Sequence, residues 1–178
     1  MKLKAIITIL ITTLMIFTGC ASTNTGGDNA PEGMKLFSNE NTDYTAYIPV
    51  SWTMDMSTGT LSAYVSSADA SNISITAQIL KGASTLDDYW KGYEADFKAT
   101  FGDMEYIGEV PTTTTLAGEP ANKYVYTATV TGNVYKFMQV VCIREMTVYV
   151  ITYTSTPENY DGNMSDVEKI LKNFSFNK

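Results

Sequence analysis

The chain has 178 residues, 44% of them hydrophobic and 12% aromatic, with 12 Lys and Arg against 19 Asp and Glu and a formal charge of −7. That apolar content suffices for one packed core in a chain of single-domain size, and the abundance of Thr, Tyr and Val favours strands, so a disordered chain is excluded. Phosphate recognition relies on clustered Lys and Arg; Arg144 is the sole arginine and no window gathers several lysines, which excludes nucleic acid as a partner.

Lys2 and Lys4 precede a run of 13 residues, Ala5 to Phe17, drawn only from Ala, Ile, Leu, Met, Phe and Thr. As a helix it would reach roughly 20 Å, short of the roughly 30 Å of hydrocarbon a transmembrane helix crosses. The run therefore reads as the apolar region of a signal peptide. It closes on Phe17, Thr18, Gly19 and Cys20, which resembles the lipobox of bacterial lipoproteins, with Phe17 where Leu is usual. Small residues before the cysteine suit an extended chain in a peptidase cleft, and the Cys20 thiol is the nucleophile that accepts the diacylglyceryl group. Residues 1–19 are thus expected to be a lipoprotein signal peptide and 20–33 the lipidated cysteine with a flexible tether. Residues 34–178 are expected to be one globular domain. Loss of Lys2 and Lys4 leaves 10 basic against 19 acidic residues, −9 in net charge, so an anionic membrane surface repels the body. Attachment is expected through the lipid on Cys20, at the extracytoplasmic face of a bacterial membrane, because two or more acyl chains hold a protein where one does not. Ala21 to Gly33 is small, polar and broken by Gly26, Gly27, Pro31 and Gly33, a coil of roughly 20 Å end to end.

From Leu36 onward short β patterns alternate with two helical ones. Leu36 to Ser38, Tyr44 to Ile48, Leu61 to Val65 and Ile73 to Leu80 read as strands, the last half-buried because Ile73, Ile75, Ala77 and Ile79 alternate with Ser74, Thr76 and Gln78. Pro49 marks a sheet edge or exit. Trp52, just beyond it, either closes the core or offers a contact surface at the rim.

Ser84 or Thr85 can cap a helix whose first turn holds Asp87 and Asp88. Leu86, Tyr89, Trp90, Tyr93, Phe97 and Phe101 recur at steps of three and four up to Gly102, so this aromatic stripe is expected to pack on a sheet rather than to form a ligand box. Met104 to Leu116, Pro120 to Val130, Val134 to Ile143 and Thr147 to Ser155 read as a meander. Its turns fall at Gly118 with Glu119, Gly132 with Asn133, and the weaker site Arg144 with Glu145. The two last strands, apolar on both alternations, are expected to be central. Thr156 and Pro157 open a second amphipathic helix carrying Tyr160, Met164, Val167, Ile170, Leu171 and Phe174, before a short run to Phe176. An α+β fold follows, an α/β/α sandwich with a central antiparallel sheet flanked by two main helices.

The run YIPVSWTMD with Tyr47, Pro49 and Trp52, the strand NISI, the helix LDDYWKGYEADF, the turn LAGEPA, the strand YVITYTS and the closing EKILKNFSF resemble, in order and spacing, the PsbP-like family. Plant PsbP and the Ran-binding Mog proteins share that family's fold. The resemblance spans roughly Asp43 to Phe176. It implies an α/β/α sandwich, often borne on bacterial lipoproteins, and carries over no catalytic residue.

The chain has no His, which removes Ser-His-Asp and Cys-His catalysis and His-based zinc sites. With Cys20 lipidated, Cys142 has no disulfide partner, and between Val141 and Ile143 it reads as a small buried apolar residue. Paired carboxylates remain: Asp87 with Asp88, explained by the helix dipole; Asp103 with Glu105, which share a strand face and a solvated edge; and Glu158 with Asp161. None supplies the converging oxygens calcium wants, so no catalytic residue, cofactor or metal is expected, and the domain should fold without metal. Gly26 with Gly27 lacks the Lys-Ser or Lys-Thr of a phosphate loop. The leading expectation is a noncatalytic, membrane-anchored binding or assembly module for an envelope partner, using a sheet edge or an aromatic patch. An enzyme using carboxylate or Tyr and Lys chemistry, and a structural envelope protein, stand as alternatives.

Overall fold

The computed structural model describes residues 30–57, 60–82 and 84–177. The expected signal peptide, Cys20 and most of the expected tether lie outside them. The strands are β1 Met34–Leu36, β2 Tyr44–Thr45, β3 Tyr47–Pro49, β4 Thr53–Asp55, β5 Leu61–Tyr64 and β6 Asn72–Ile79, then β7 Met104–Tyr106, β8 Thr112–Leu116, β9 Glu119–Val130, β10 Asn133–Arg144, β11 Thr147–Ser155 and β12 Ser175–Phe176. The helices are α1 Leu86–Phe101, α2 Pro157–Tyr160 and α3 Met164–Lys172, with a 3-10 turn, Asp161–Asn163, between the last two.

One antiparallel sheet runs β4-β5-β6-β11-β10-β9-β7, with β8 also paired to β9. β10 and β11 are central, as their two-sided apolarity requires, and side chains alternate into two cores. Phe137, Val141, Val148, Val150 and Tyr126 face α1. Val140, Cys142, Tyr149, Ile151 and Tyr153 face the other layer, where Val167 and Ile170 of α3 pack. That second layer also holds the small pairs β1-β3 and β2-β12, which draw both ends of the domain onto one face.

Most boundaries follow the sequence pattern, and the departures have local causes. Tyr44 to Ile48 is two strands because Ala46, fully buried, turns its carbonyl to the N–H groups of Phe37 and Ser38, so β2 and β3 join different partners. Met104 to Leu116 is likewise two: Gly108, at φ 74°, redirects the chain, and Pro111 has no N–H for a ladder. Both pieces pair with β9, β7 at Tyr126 to Ala128 and β8 at Glu119 to Lys123. The second helix is divided at the 3-10 turn around Gly162. β4 has no counterpart in the sequence reading, being too short to alternate visibly. β6 departs from simple alternation: Ser74 is buried, whereas Ile79 is 72% exposed, because β5 accompanies β6 only from Asn72 to Ile75.

The β9–β10 turn places Thr131 and Gly132 at φ 49° and 87°, the mirror-type geometry that matches hairpin twist. The Arg144–Glu145 site forms its hairpin too, with Glu145 at φ 56° and Arg144 paired with Thr147.

Trp52 lies in the core on the α3 face with 1% of its surface exposed, and its backbone N–H closes a turn to Pro49 at 3.0 Å. The rim alternative is thereby corrected. Trp52→Ala is expected to destabilise the domain by about 3–5 kcal/mol, the range for deleting a buried large aromatic side chain. Denaturant unfolding measures it, and a loss below about 1 kcal/mol would mean that the indole is not part of the core.

Candidate functional site

α1 is started by a closed capping box. Thr85 Oγ1 accepts the Asp88 backbone N–H at 3.1 Å, and the Asp88 carboxylate accepts from the Thr85 N–H at 3.4 Å and its hydroxyl at 2.8 Å. These bonds hold the Asp88 carboxyl below its ordinary range. Asp87, its neighbour, points elsewhere, since adjacent helical residues do not share a face. The two carboxylates singled out as a pair therefore separate, one capping the helix and the other lining a cleft.

That cleft, about 300 Å³ in volume, lies between α1 and the break in the sheet edge. Its floor is Trp90 of α1 on Tyr124 of β9, with ring centroids 3.5 Å apart and planes within 6° of parallel. One wall is Tyr106 at the end of β7 with Val110 and Pro111, the residues that interrupt the edge; the other is the α1 face carrying Asp87, Lys91 and Glu94. The cleft exists because β7 and β8 do not run on as one strand.

The floor is held by its own hydrogen bonds. Trp90 Nε1 donates to Tyr106 Oη at 2.8 Å, and Asn122 Nδ2 donates to Tyr124 Oη at 3.2 Å. The Tyr106 phenol is pushed up to about 12, by burial first, with the Trp90 bond opposing and Glu94 adding. Burial also raises Tyr124, with Asn122 opposing and Asp87 and Glu94 adding. Both phenols are therefore neutral in ordinary buffer, able to donate or accept a hydrogen bond but not to act as bases. Glu94 pairs with Lys98 at 2.7 Å.

Elsewhere the candidate residues do not assemble. Cys142 is buried, and desolvation, with Glu119 adding and Arg144 opposing, pushes its thiol up to about 11, the opposite of what a nucleophile needs. Asp103 and Glu105 are exposed, and Asp161 meets Lys136 at 3.4 Å rather than Glu158. Among the described residues no group of three or more His, Cys, Asp or Glu converges as a metal site, and no helix is long and apolar enough to cross a membrane.

Trp90, Tyr93 and Phe97 pack in the core as the helical spacing predicts. The sequence reading nevertheless missed that Trp90 also floors a cleft, and missed Tyr106, Tyr124, Lys91 and Glu94 with it. The signal was Gly108 and Pro111 inside an apparent strand, which mark an interrupted edge.

Among known proteins, the family model described as "PsbP-like protein" matches residues 3–176. CyanoP, the cyanobacterial PsbP of Synechocystis sp. PCC 6803, is similar in structure with a TM-score of 0.60 at 15% identity, over 86% of this chain and 98% of that one. PA94, a protein of unknown function from Pseudomonas aeruginosa, gives 0.56 at 15% identity over 79% and 94%. The Ran-binding protein Mog1p of Saccharomyces cerevisiae gives 0.56 at 10% identity over 80% and 95%. At such identities the likeness is one of fold. No curated protein matches the chain.

Because burial raises phenols such as Tyr106 in the folded state, the fold binds protons there more tightly than the unfolded chain does. That contribution is complete below the ordinary tyrosine value near 10 and is lost as pH rises toward the folded value of about 12. The melting temperature is expected to fall between about pH 10 and 12, less steeply in Tyr106→Phe. An unchanged slope in that variant would show that the Tyr106 phenol is not perturbed.

Proposed function

From the premise that this chain belongs to the PsbP-like family, we propose that it is a noncatalytic binding or assembly module, lipid-anchored through Cys20 at the extracytoplasmic face of a bacterial membrane. Its recognition site is the cleft between α1 and the interrupted sheet edge. The observation that carries this reading is the cleft's floor, a stacked Trp90 and Tyr124 whose polar atoms are already engaged by Tyr106 and Asn122. Such a surface is fixed before a ligand arrives, which lowers the ordering cost of binding, and it holds no group poised to react.

The same cleft counts against the Tyr and Lys enzyme. Tyr106 and Lys91 both line the cleft, but a general base works best with its pKa near the operating pH, and the Tyr106 phenol is displaced upward to about 12. The lipid anchor rests on the basic start, the apolar run and the FTGC ending.

Two experiments test the two halves. Cys20→Ser is expected to abolish acyl labelling and leave the chain unprocessed or released; unchanged labelling and membrane retention would refute the anchor. A photoreactive benzoylphenylalanine in place of Pro111, on the cleft wall, is expected to give a discrete adduct in intact cells, whereas the same group at Glu168, on the exposed face of α3, is not. Matching adduct patterns from the two positions would refute the cleft as the recognition site.

A further inference from the structure

We propose that the cleft takes the charged end of a lysine or arginine side chain, presented by an extended segment of a partner protein. The inference rests on the cleft being the recognition site and adds what it recognises.

Charge is the first argument. Two carboxylates, Asp87 and Glu94, stand on α1 over the floor, seven positions apart and so on one face of the helix. Lys91 stands between them and is the lining's one cation. Glu94 is shared with Lys98, and among the described residues neither Asp87 nor Lys91 has an ion-pair partner within 4.0 Å, so the lining sets two carboxylates against one lysine. Burial is the main cause that raises the Tyr106 and Tyr124 phenols, and the carboxylates add to it, Glu94 at both and Asp87 at Tyr124. An anionic ligand would meet these carboxylates across an aromatic floor, whereas a cation finds one unpaired carboxylate, one shared carboxylate and the phenol oxygens of Tyr106 and Tyr124. The chain from Cys20 onward, with 10 basic against 19 acidic residues, steers a basic partner in the same direction.

Shape is the second argument. The cleft is of side-chain dimensions, about 300 Å³, at the lower limit for small-molecule sites. It opens beside β8, which has β9 as its strand neighbour and carries exposed Thr112, Thr113 and Thr115. An extended segment can run beside that edge, as strand-adding ligands do, and drop one long side chain past Pro111. The aliphatic stem of Lys or Arg then lies along Val110 and Pro111 while its head reaches Asp87, the division between stem and head that these side chains favour.

The indole N–H resonance of Trp90 reports the floor, and that of Trp52, buried in the other core, serves as internal control. The full chain in neutral detergent micelles is titrated with the capped tripeptide acetyl-Thr-Lys-Thr-amide, with the same peptide carrying norleucine, and with n-butylammonium. The lysine peptide is expected to shift the Trp90 resonance and leave Trp52 unmoved, at least fivefold more tightly than either control. Asp87→Asn with Glu94→Gln is expected to weaken it at least fivefold with the fold retained, the Trp52 resonance staying in place, and Lys91→Gln, which removes the competing cation, to tighten it. Equal binding of the norleucine peptide would overturn charge recognition, and equal binding of butylammonium would overturn the protein segment. Unaltered affinity in the double variant, or no shift with the lysine peptide, would overturn the proposal as a whole. If the Pro111 position still crosslinks when the lysine peptide fails, the cleft remains a recognition site and only its ligand class is wrong.

Discussion

The architecture turns on one buried amide. Gln139, 1% exposed in the middle of β10, stands where a sheet covered on both faces would ordinarily carry an apolar residue. Its Oε1 accepts from Tyr126 at 2.9 Å, and its Nε2 donates to Tyr93 at 3.1 Å and to Thr152 at 3.0 Å, while the Tyr93 and Tyr126 hydroxyls share a bond of 3.2 Å. A buried amide left unpaired costs about 1–3 kcal/mol, so the network is favourable only when α1 lies where Tyr93 can reach it. Apolar contacts between helix and sheet are nondirectional and would tolerate small slides. The amide does not, and it fixes the register of α1 on the sheet.

From that register the cleft follows. Trp90 precedes Tyr93 by three residues, so setting Tyr93 over Gln139 sets Trp90 over Tyr124, the residue of β9 paired with Gln139. The stack then continues inward, Trp90 to Tyr93 at 5.1 Å and Tyr126 to Phe137 at 5.0 Å. Aromatic pairs of this kind add to simple burial. Because the floor is one end of this array, its geometry is set by packing well away from solvent. The edge strand contributes by omission: had Met104 to Leu116 run unbroken along β9, its side chains would occupy the space that Tyr106, Val110 and Pro111 now border.

Much of this was legible in the sequence, and the rest was not for identifiable reasons. The α1 boundaries followed from Thr85, Gly102 and a stripe of aromatic residues at helical spacing, and the central place of β10 and β11 from apolarity on both alternations. These are local signals repeated over many residues. The division of residues 44–48 depends on the Ala46 carbonyl bonding Phe37 and Ser38, and the short closing run finds its partner in β2, 130 positions away; no local pattern encodes the division or the partner. The site was hidden for a third reason. Trp90 obeys the core pattern and Tyr124 the strand pattern, so each is explained by packing alone, and only their stacking beside an interrupted edge turns two core residues into a floor.

The two faces of the sheet divide the work. On the α3 side, β1 enters at Met34 and pairs with β3, β12 returns to β2, the Tyr149 hydroxyl donates to Asp43, and Arg144 lies 5.0 Å over the Phe176 ring. Both ends of the domain are thus fastened to the layer opposite α1. The cleft is on the α1 side, across a sheet buried on both faces. If the chain is held at a membrane through residues preceding Met34, the pull falls on the β1-β3 pair and the core around Trp52, and a ligand in the cleft loads α1 and the Gln139 network instead. Those two places lie in separate hydrophobic cores that meet across the sheet, where β9, β10 and β11 each send side chains to both faces: Ala121 and Tyr124, Val140 and Val141, Ile151 and Val150.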